Sequence, residues 1–392
     1  MRGTKPEIRW KAEAAFFLSA VFFVAVAAVI VFRRLPIEGT SLGLDWKTIW
    51  DGIGRGDVVY GPQSDQIGGM YTPPWGILIL FPLSLLPFRD SWALISLFTI
   101  LTLIFLVPRR DNGRLDGVGI LLLACSFPAL RTLADGNLEA FVLAGSALLL
   151  RGMERRSPLL AAAGFMLATV KFQVIWLAII FLPWKLWQRF NWGEIVTFVG
   201  SAVFMVAISM LLWGRDWLLS LFGGAIPWEQ GMVELAAGMG RGGVIDITLR
   251  STLQRIDFPP VLITCVWLIL VGAVIYVSVR KQRLMMMSLF PGFAFLLTSS
   301  ILLAPYVSGD SFLCIYALAI LPLIRENRTI GVILLLAVNL LFFVPRSLLF
   351  SYQSTYLTFL SLIVWFFLVV QIMRKEAEPL EAPAATDRER GV

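Results

Sequence analysis

The chain has 392 residues, of which 58% are hydrophobic and 15% charged, and its formal net charge is +7. With a mean hydropathy of +0.80 it carries more apolar surface than a soluble domain can bury, so its solvent is lipid. It has no histidine, which excludes histidine acid–base catalysis and histidine metal sites and leaves carboxylates as the bases available near neutral pH.

Long apolar runs recur from end to end without the period-2 alternation of a membrane β-barrel, which predicts an all-α, polytopic membrane protein. The positive charge then belongs to cytoplasmic loops rather than to nucleic-acid binding. Arg2, Lys5, Arg9 and Lys11 place the N-terminus in the cytoplasm, and a first helix is expected at 13–32. No small-residue cleavage site follows it before Arg33-Arg34, so it does not read as a cleaved signal peptide. The first extracytoplasmic loop comes next. It carries Asp45 and Asp51 among aromatics and glycines and ends in Tyr71-Thr72-Pro73-Pro74. Residues 45–54 suit a short interfacial helix with Trp46 and Trp50 on one face.

Residues 73–107 hold either two crossings or an interfacial helix followed by one crossing. Charge selects the second arrangement. With a single crossing at 91–107, the basic clusters from Arg109-Arg110 to Arg374-Lys375 fall inside; with two they would all lie outside. Further crossings are expected at 117–133, 137–152, 158–170, 172–186, 194–213, 259–279, 285–304, 311–324, 329–345 and 355–373. That makes about twelve, with both termini cytoplasmic. Residues 1–375 read as one integral membrane domain and 376–392 as a disordered tail rich in Glu, Ala, Pro and Arg. Cys125, Cys265 and Cys314 lie in apolar runs and read as small buried hydrophobes, not as a disulfide or metal framework.

The polar residues that basic inside loops do not explain converge on the outer face. They are Asp45, Asp51, Arg131, Asp135, Asn137, Glu139, Lys171, Arg241, Arg250, Arg255 and Asp310. Ionisable groups at membrane depth are costly and usually functional. A carboxylate beside several cations can deprotonate a hydroxyl while the cations hold a phosphate. Plainer readings stand beside this one: Asp45 suits a helix cap, Asp135 suits the cap of the next helix, and Lys171 can snorkel to the interface. Tyr71 and Trp75 can stack on a sugar or line a lipid groove. The oxygens of Asp45 and Asp135 suit a hard divalent cation, but no dedicated cage of ligands is evident, and no cofactor or metal is predicted.

The order Asp45…Tyr60…Tyr71-Thr72-Pro73-Pro74-Trp75, then Phe81-Pro82-Leu83 and Leu86-Pro87, resembles the N-terminal signature of the GT-C membrane glycosyltransferases. Family 87, the polyprenyl-phosphate-mannose-dependent mannosyltransferases, is the nearest pattern. Asp135-Gly136-Asn137, Ala163-Gly164-Phe165…Lys171-Phe172 and Ala304-Pro305-Tyr306…Asp310 resemble its later blocks in the same order. The resemblance implies an inverting transfer of a hexose, expected to be mannose, from a polyprenyl-phosphate donor. The acceptor would be a hydroxyl of a glycolipid or glycan at the extracytoplasmic face of the cell membrane. Asp45 would be the general base. Lys171, Arg131 and Arg241 would meet the donor phosphate, with Asp135, Asn137, Tyr71, Trp75, Tyr306 and Asp310 around sugar and acceptor. The alternative is a transporter or flippase for a lipid-linked sugar or other polar solute. It predicts polar groups on both membrane faces and repeated halves, and neither is visible in the sequence.

Overall fold

The computed structural model describes residues 26, 28–35, 42–54, 72–107, 117–213, 246–282, 284–286, 288–344 and 346–375. Among these the backbone is helical, apart from one isolated antiparallel bridge between Asp246 and Ser308. Tyr71, Arg241, most of the first expected helix and the tail 376–392 lie outside the described residues.

The first loop contributes α1 (Leu44–Gly54), followed by α2 (Pro74–Ser84) and α3 (Phe88–Leu106). Pro at the first turn starts α2, as proline's missing N–H allows. Only α3 of this group is long and apolar enough to cross a membrane, consistent with a single crossing in this stretch. The face of α1 that carries both tryptophans packs on protein. Trp46 is fully buried and donates to Ser91 at 2.8 Å, and Trp50 donates to the Leu86 carbonyl at 2.9 Å. Both tryptophans therefore dock α1 onto protein.

The crossing expected at 117–133 is two short helices, α4 (Gly117–Ala124) and α5 (Phe127–Asp135). Ser126 caps α5 by accepting from Ala129 N, and Pro128 sits in its first turn, so the chain breaks there. Next come α6 (Glu139–Glu154) and α7 (Pro158–Ala168), then a 3-10 turn at Thr169–Lys171 and α8 (Phe172–Arg189). Two separate crossings were expected across 158–186. The structure instead carries one helical run, Pro158–Arg189, which leaves helical geometry at Lys171 (φ −122°, ψ 73°). The remaining helices are α9 (Trp192–Trp213), α10 (Leu249–Arg255), α11 (Pro260–Arg280), α12 (Ala294–Leu303), α13 (Phe312–Ile315), α14 (Leu321–Glu326), α15 (Arg328–Asn339) and α16 (Arg346–Arg374).

Five of the described helices meet the length and hydropathy of a membrane span, or six if the bent pair α5–α6 is one span. The others, Leu289–Leu303 among them, are shorter than the roughly 20 residues a straight crossing needs. The core lies along α12 and α13, where every residue from Phe293 to Leu303 and from Phe312 to Ile320 is buried. By contrast α9 and α11 expose Val203, Phe204, Leu211, Val261 and Ile269, the apolar outer surface of a lipid-solvated bundle. Cys314 is buried as expected, but Cys125 and Cys265 are exposed.

The pair α6–α7 is packed backbone to backbone. A Cβ at Gly145 would lie 2.2 Å from Ala168 N, and one at Gly164 would lie 2.2 Å from Leu149 N. Small residues permit that approach. The pairing is antiparallel and brings Lys171, just beyond α7, level with Glu139 at the start of α6.

Candidate active site

The turn between α5 and α6 assembles the site. Gly136 ends α5 at φ 70°, and the N–H groups of Gly136 and Asn137 both bond Thr132 O, at 3.0 and 3.1 Å. A left-handed residue here is a helix stop that glycine adopts without strain. The chain then bends by 112° into α6. The start of α1 is tied to the same turn, because Gly43 N donates to Ala134 O at 2.7 Å. That contact delivers Asp45 to Asn137.

Asn137 is buried and sits at the centre. Its Nδ2 donates to Asp45 Oδ2 at 2.6 Å and to Asp310 Oδ2 at 3.0 Å. Its Oδ1 accepts from Leu138 N at 2.8 Å and from Lys171 Nζ. Lys171 also donates to Glu139 Oε1 at 2.6 Å, and Ser311 Oγ donates to the same oxygen at 2.9 Å. On the other side Arg131 Nε donates to Asp310 Oδ1 at 2.6 Å and lies 3.4 Å from Asp135 Oδ2, while Nη1 donates to Gln353 at 3.0 Å. Ser308 Oγ donates to Asp310 Oδ2 at 2.7 Å.

Thus four carboxylates and two cations from separate parts of the chain form one connected cluster. Asp45 is half-buried, whereas Glu139 and Asp310 are buried. Burial, reinforced by the charge of Asp310 and opposed by that of Lys171, pushes the Asp45 carboxyl up to about 8. Burial also acts to raise Asp310, but the cations Arg131 and Lys171 outweigh it and hold that carboxyl below its ordinary value. The two carboxylates are coupled through one amide, so their protons belong to the pair.

Seven residues singled out in the sequence meet here: Asp45, Arg131, Asp135, Asn137, Glu139, Lys171 and Asp310. Asp135 is the last residue of α5 and faces Arg131, rather than capping the next helix. Trp75 donates to Thr169 Oγ1 at 3.0 Å, next to the Lys171 turn but outside the cluster. Tyr306 lies within electrostatic reach of Arg255 in α10. The sequence singles out Glu139 among the outer polar residues without giving it a role; Ser308, Ser311 and Gln353 are not assigned from the sequence. Asp246 was also missed. It accepts from Thr248 N at 3.0 Å and Val307 N at 3.2 Å, docking the segment that leads into α10 beside Ser308. Among the described residues no group of three or more Asp, Glu, His or Cys side chains is arranged to hold a metal ion.

A cleft of about 650 Å³ opens beside the Ala304–Tyr306 turn, lined by Arg250, Gln254, Ile263, Trp267, Leu303 and Pro305 among others.

The fold and the cluster define a multi-pass helical membrane protein with a bundle of ionisable groups gathered from its loops and helix ends. The sequence model of glycosyltransferase family 87 matches residues 70–305, more than half of the chain. The chain belongs to that family and is a glycosyltransferase, consistent with the GT-C-like pattern of its motifs. The matched region takes in Arg131, Asp135, Asn137 and Lys171, while Asp45 and Asp310 flank it. No curated protein and no solved structure matches the chain.

Proposed function

We propose that the protein transfers a hexose, mannose by family resemblance, from a polyprenyl-phosphate donor to a hydroxyl of a glycolipid or glycan, with inversion at the anomeric carbon. The observation that carries this reading is the half-buried Asp45 carboxylate, held by Asn137 at 2.6 Å among buried charges. The acceptor hydroxyl gives its proton to Asp45 as its oxygen bonds to C1. The bond from C1 to the phosphate oxygen breaks on the opposite face, and the electron pair leaves with polyprenyl phosphate. A general base of this kind contributes about 10²–10⁴-fold.

The departing phosphate gains negative charge and needs cations. Arg131 is suited to this, because a guanidinium has five N–H groups and only part of them is used on Asp310, Asp135 and Gln353. Arg241 is the second candidate. The cleft beside Ala304–Tyr306 has apolar walls in Ile263, Trp267 and Leu303, which suit an isoprenoid chain, and Arg250 on its rim suits the phosphate. Asp135, Tyr71, Trp75 and Tyr306 are assigned to the sugar and acceptor.

The same reading has the cluster at the extracytoplasmic face and both termini in the cytoplasm. It treats 1–375 as one catalytic domain followed by a cytoplasmic tail. The test is transfer of labelled mannose from polyprenyl-phosphate-mannose by the purified protein in lipid. Loss of transfer in folded Asp45→Asn supports the base; no transfer from any polyprenyl-phosphate sugar to any acceptor of a panel removes the reading.

A further inference from the structure

Lys171 is the most isolated cation in the sequence, and the donor phosphate is its expected partner. Its geometry gives it other work. The ammonium is committed to Asn137 Oδ1 and to Glu139 Oε1, the latter at 2.6 Å. Lys171 is 15% exposed and the Glu139 side chain 0%. Glu139 Oε1 also accepts from Ser311, while Oε2 is buried with no hydrogen-bond partner among the described residues. Moving Lys171 toward a phosphate would strand a carboxylate that is already short of partners. Buried carboxylates tolerate this poorly.

The contacts of Asn137 complete the argument. All four are matched in only one orientation of the amide. Its oxygen faces the ammonium and Leu138 N, and its nitrogen faces two carboxylates. Rotated by half a turn, the amide would set oxygen against both carboxylates and N–H against an ammonium and another N–H. A positive charge on the oxygen side also polarises the amide, strengthening the N–H bonds on the other side.

We infer that Glu139 and Lys171 are positioning residues, which act on Asp45 through Asn137 and leave the donor phosphate to other cations. This rests on the reading of Asp45 as the base. Glu139 fixes the ammonium in place, the ammonium fixes the amide, and the amide fixes the Asp45 carboxylate at 2.6 Å. The close packing of Gly145 and Gly164 sets the level at which Lys171 meets Glu139.

The charged groups that act on Asp45 are Asp310, Lys171, Asp135 and Glu139, with Arg131 beyond them. Two of these pull in opposite directions: the charge of Lys171 lowers Asp45 and that of Glu139 raises it. The test uses the full chain in lipid, with polyprenyl-phosphate-mannose as donor and an alkyl mannoside as acceptor. It compares wild type, Lys171→Met, Lys171→Arg, Glu139→Gln and Asp45→Asn. Asp45 is titrated by its infrared carboxyl stretch, assigned by subtracting the Asp45→Asn spectrum; this needs no turnover.

Lys171→Met is expected to lower kcat by about 10²-fold, the scale of a misplaced reacting group. Its donor Kd and KM should stay within about threefold of wild type, well under the tenfold that about 1.4 kcal/mol of lost binding would give. The Asp45 midpoint should move up in Lys171→Met and down in Glu139→Gln, and Lys171→Arg should keep it near wild type. Kcat losses in Lys171→Met and Asn137→Ala should be non-additive. A large rise in donor Kd with an unmoved Asp45 midpoint would make Lys171 a phosphate ligand and overturn the inference. Reduced kcat with no midpoint shift in either variant would make the pair merely structural and also overturn it. If Lys171→Met does not fold, Glu139→Gln and Lys171→Arg carry the titration. An Asp45→Asn protein with wild-type activity removes the base and this inference together, whereas an inactive Asp45→Asn beside a Kd-only Lys171→Met removes this inference alone.

Discussion

The amide nitrogen of Asn137 lies 2.6 Å from an oxygen of Asp45 and 3.0 Å from one of Asp310, so a single side chain joins two carboxylates brought from opposite ends of the chain. The two are not equivalent. Asp310 is buried, paired with Arg131 and bonded by Ser308, and stays ionised. Asp45 stands half-exposed with no guanidinium bonded to it among the described residues, and its proton is held more tightly. One amide thus separates a fixed negative charge from a carboxylate able to exchange a proton near neutral pH.

The first prediction concerns pH. Burial and the charge of Asp310 push the Asp45 carboxyl up to about 8, above its ordinary value, so its acid form prevails below that pH and its carboxylate above. A general base works only when ionised. Transfer should therefore rise with pH through about 8 and fall about tenfold per unit well below it. A pH–rate profile of kcat at saturating donor checks this; a flat profile from pH 6 to 9, on the same grounds, would disagree.

Arg131 should matter for both stability and rate. Arg131→Ala leaves the buried Asp310 without its partner, a cost of about 3 kcal/mol for a pair this enclosed, and it removes a proposed phosphate contact. Arg131→Lys should restore part of the stability and little of the rate, since an ammonium cannot reproduce the fork that meets Asp310 and Gln353. Thermal unfolding in detergent and the donor KM measure the two effects separately.

The packing of α6 on α7 should be intolerant of any added side chain at Gly145. The Cβ alone would meet Ala168 N at 2.2 Å, so Gly145→Val must push the helices apart, at about 1–3 kcal/mol. Because that shift carries Lys171 away from Glu139, activity should fall more than stability does. Gly200, where an added Cβ would meet nothing within 4 Å among the described residues, is the matched control, and Gly200→Ala should be neutral.

Asp246 should act through the loop that bears Asp310. Its carboxylate holds Thr248 N and Val307 N, and Asp246→Ala frees two buried N–H groups at about 1–3 kcal/mol each. The Val307–Asp310 turn should loosen and kcat should drop, with donor affinity changed less. Hydrogen exchange at Val307 would report the loosening directly.

Much of this was legible in the sequence for a simple reason. In an apolar chain the few ionisable residues stand out, among them Asp45, Arg131, Asp135, Lys171 and Asp310, with the amide of Asn137 beside them. Helices such as Trp192–Trp213 and Pro260–Arg280 agreed with expectation to within a residue or two, because proline and charge bound long apolar windows. The stretch 117–133 did not, since mean hydropathy outweighed the Ser126-Phe127-Pro128 start signal within it. The partners of Lys171 and Glu139 were out of reach, because their meeting depends on backbone contact at Gly145 and Gly164, which no local pattern encodes. What Trp46 packs against was likewise hidden, because an amphipathic turn looks the same whether its face meets lipid or protein.

The central claim is that Asp45 is the base of a sugar transfer, and the most direct measurement is transfer of labelled mannose from polyprenyl-phosphate-mannose by wild type and Asp45→Asn, side by side in lipid. The account predicts transfer by wild type and a loss of about 10²–10⁴-fold in a variant that remains folded. Undiminished transfer by Asp45→Asn would contradict it.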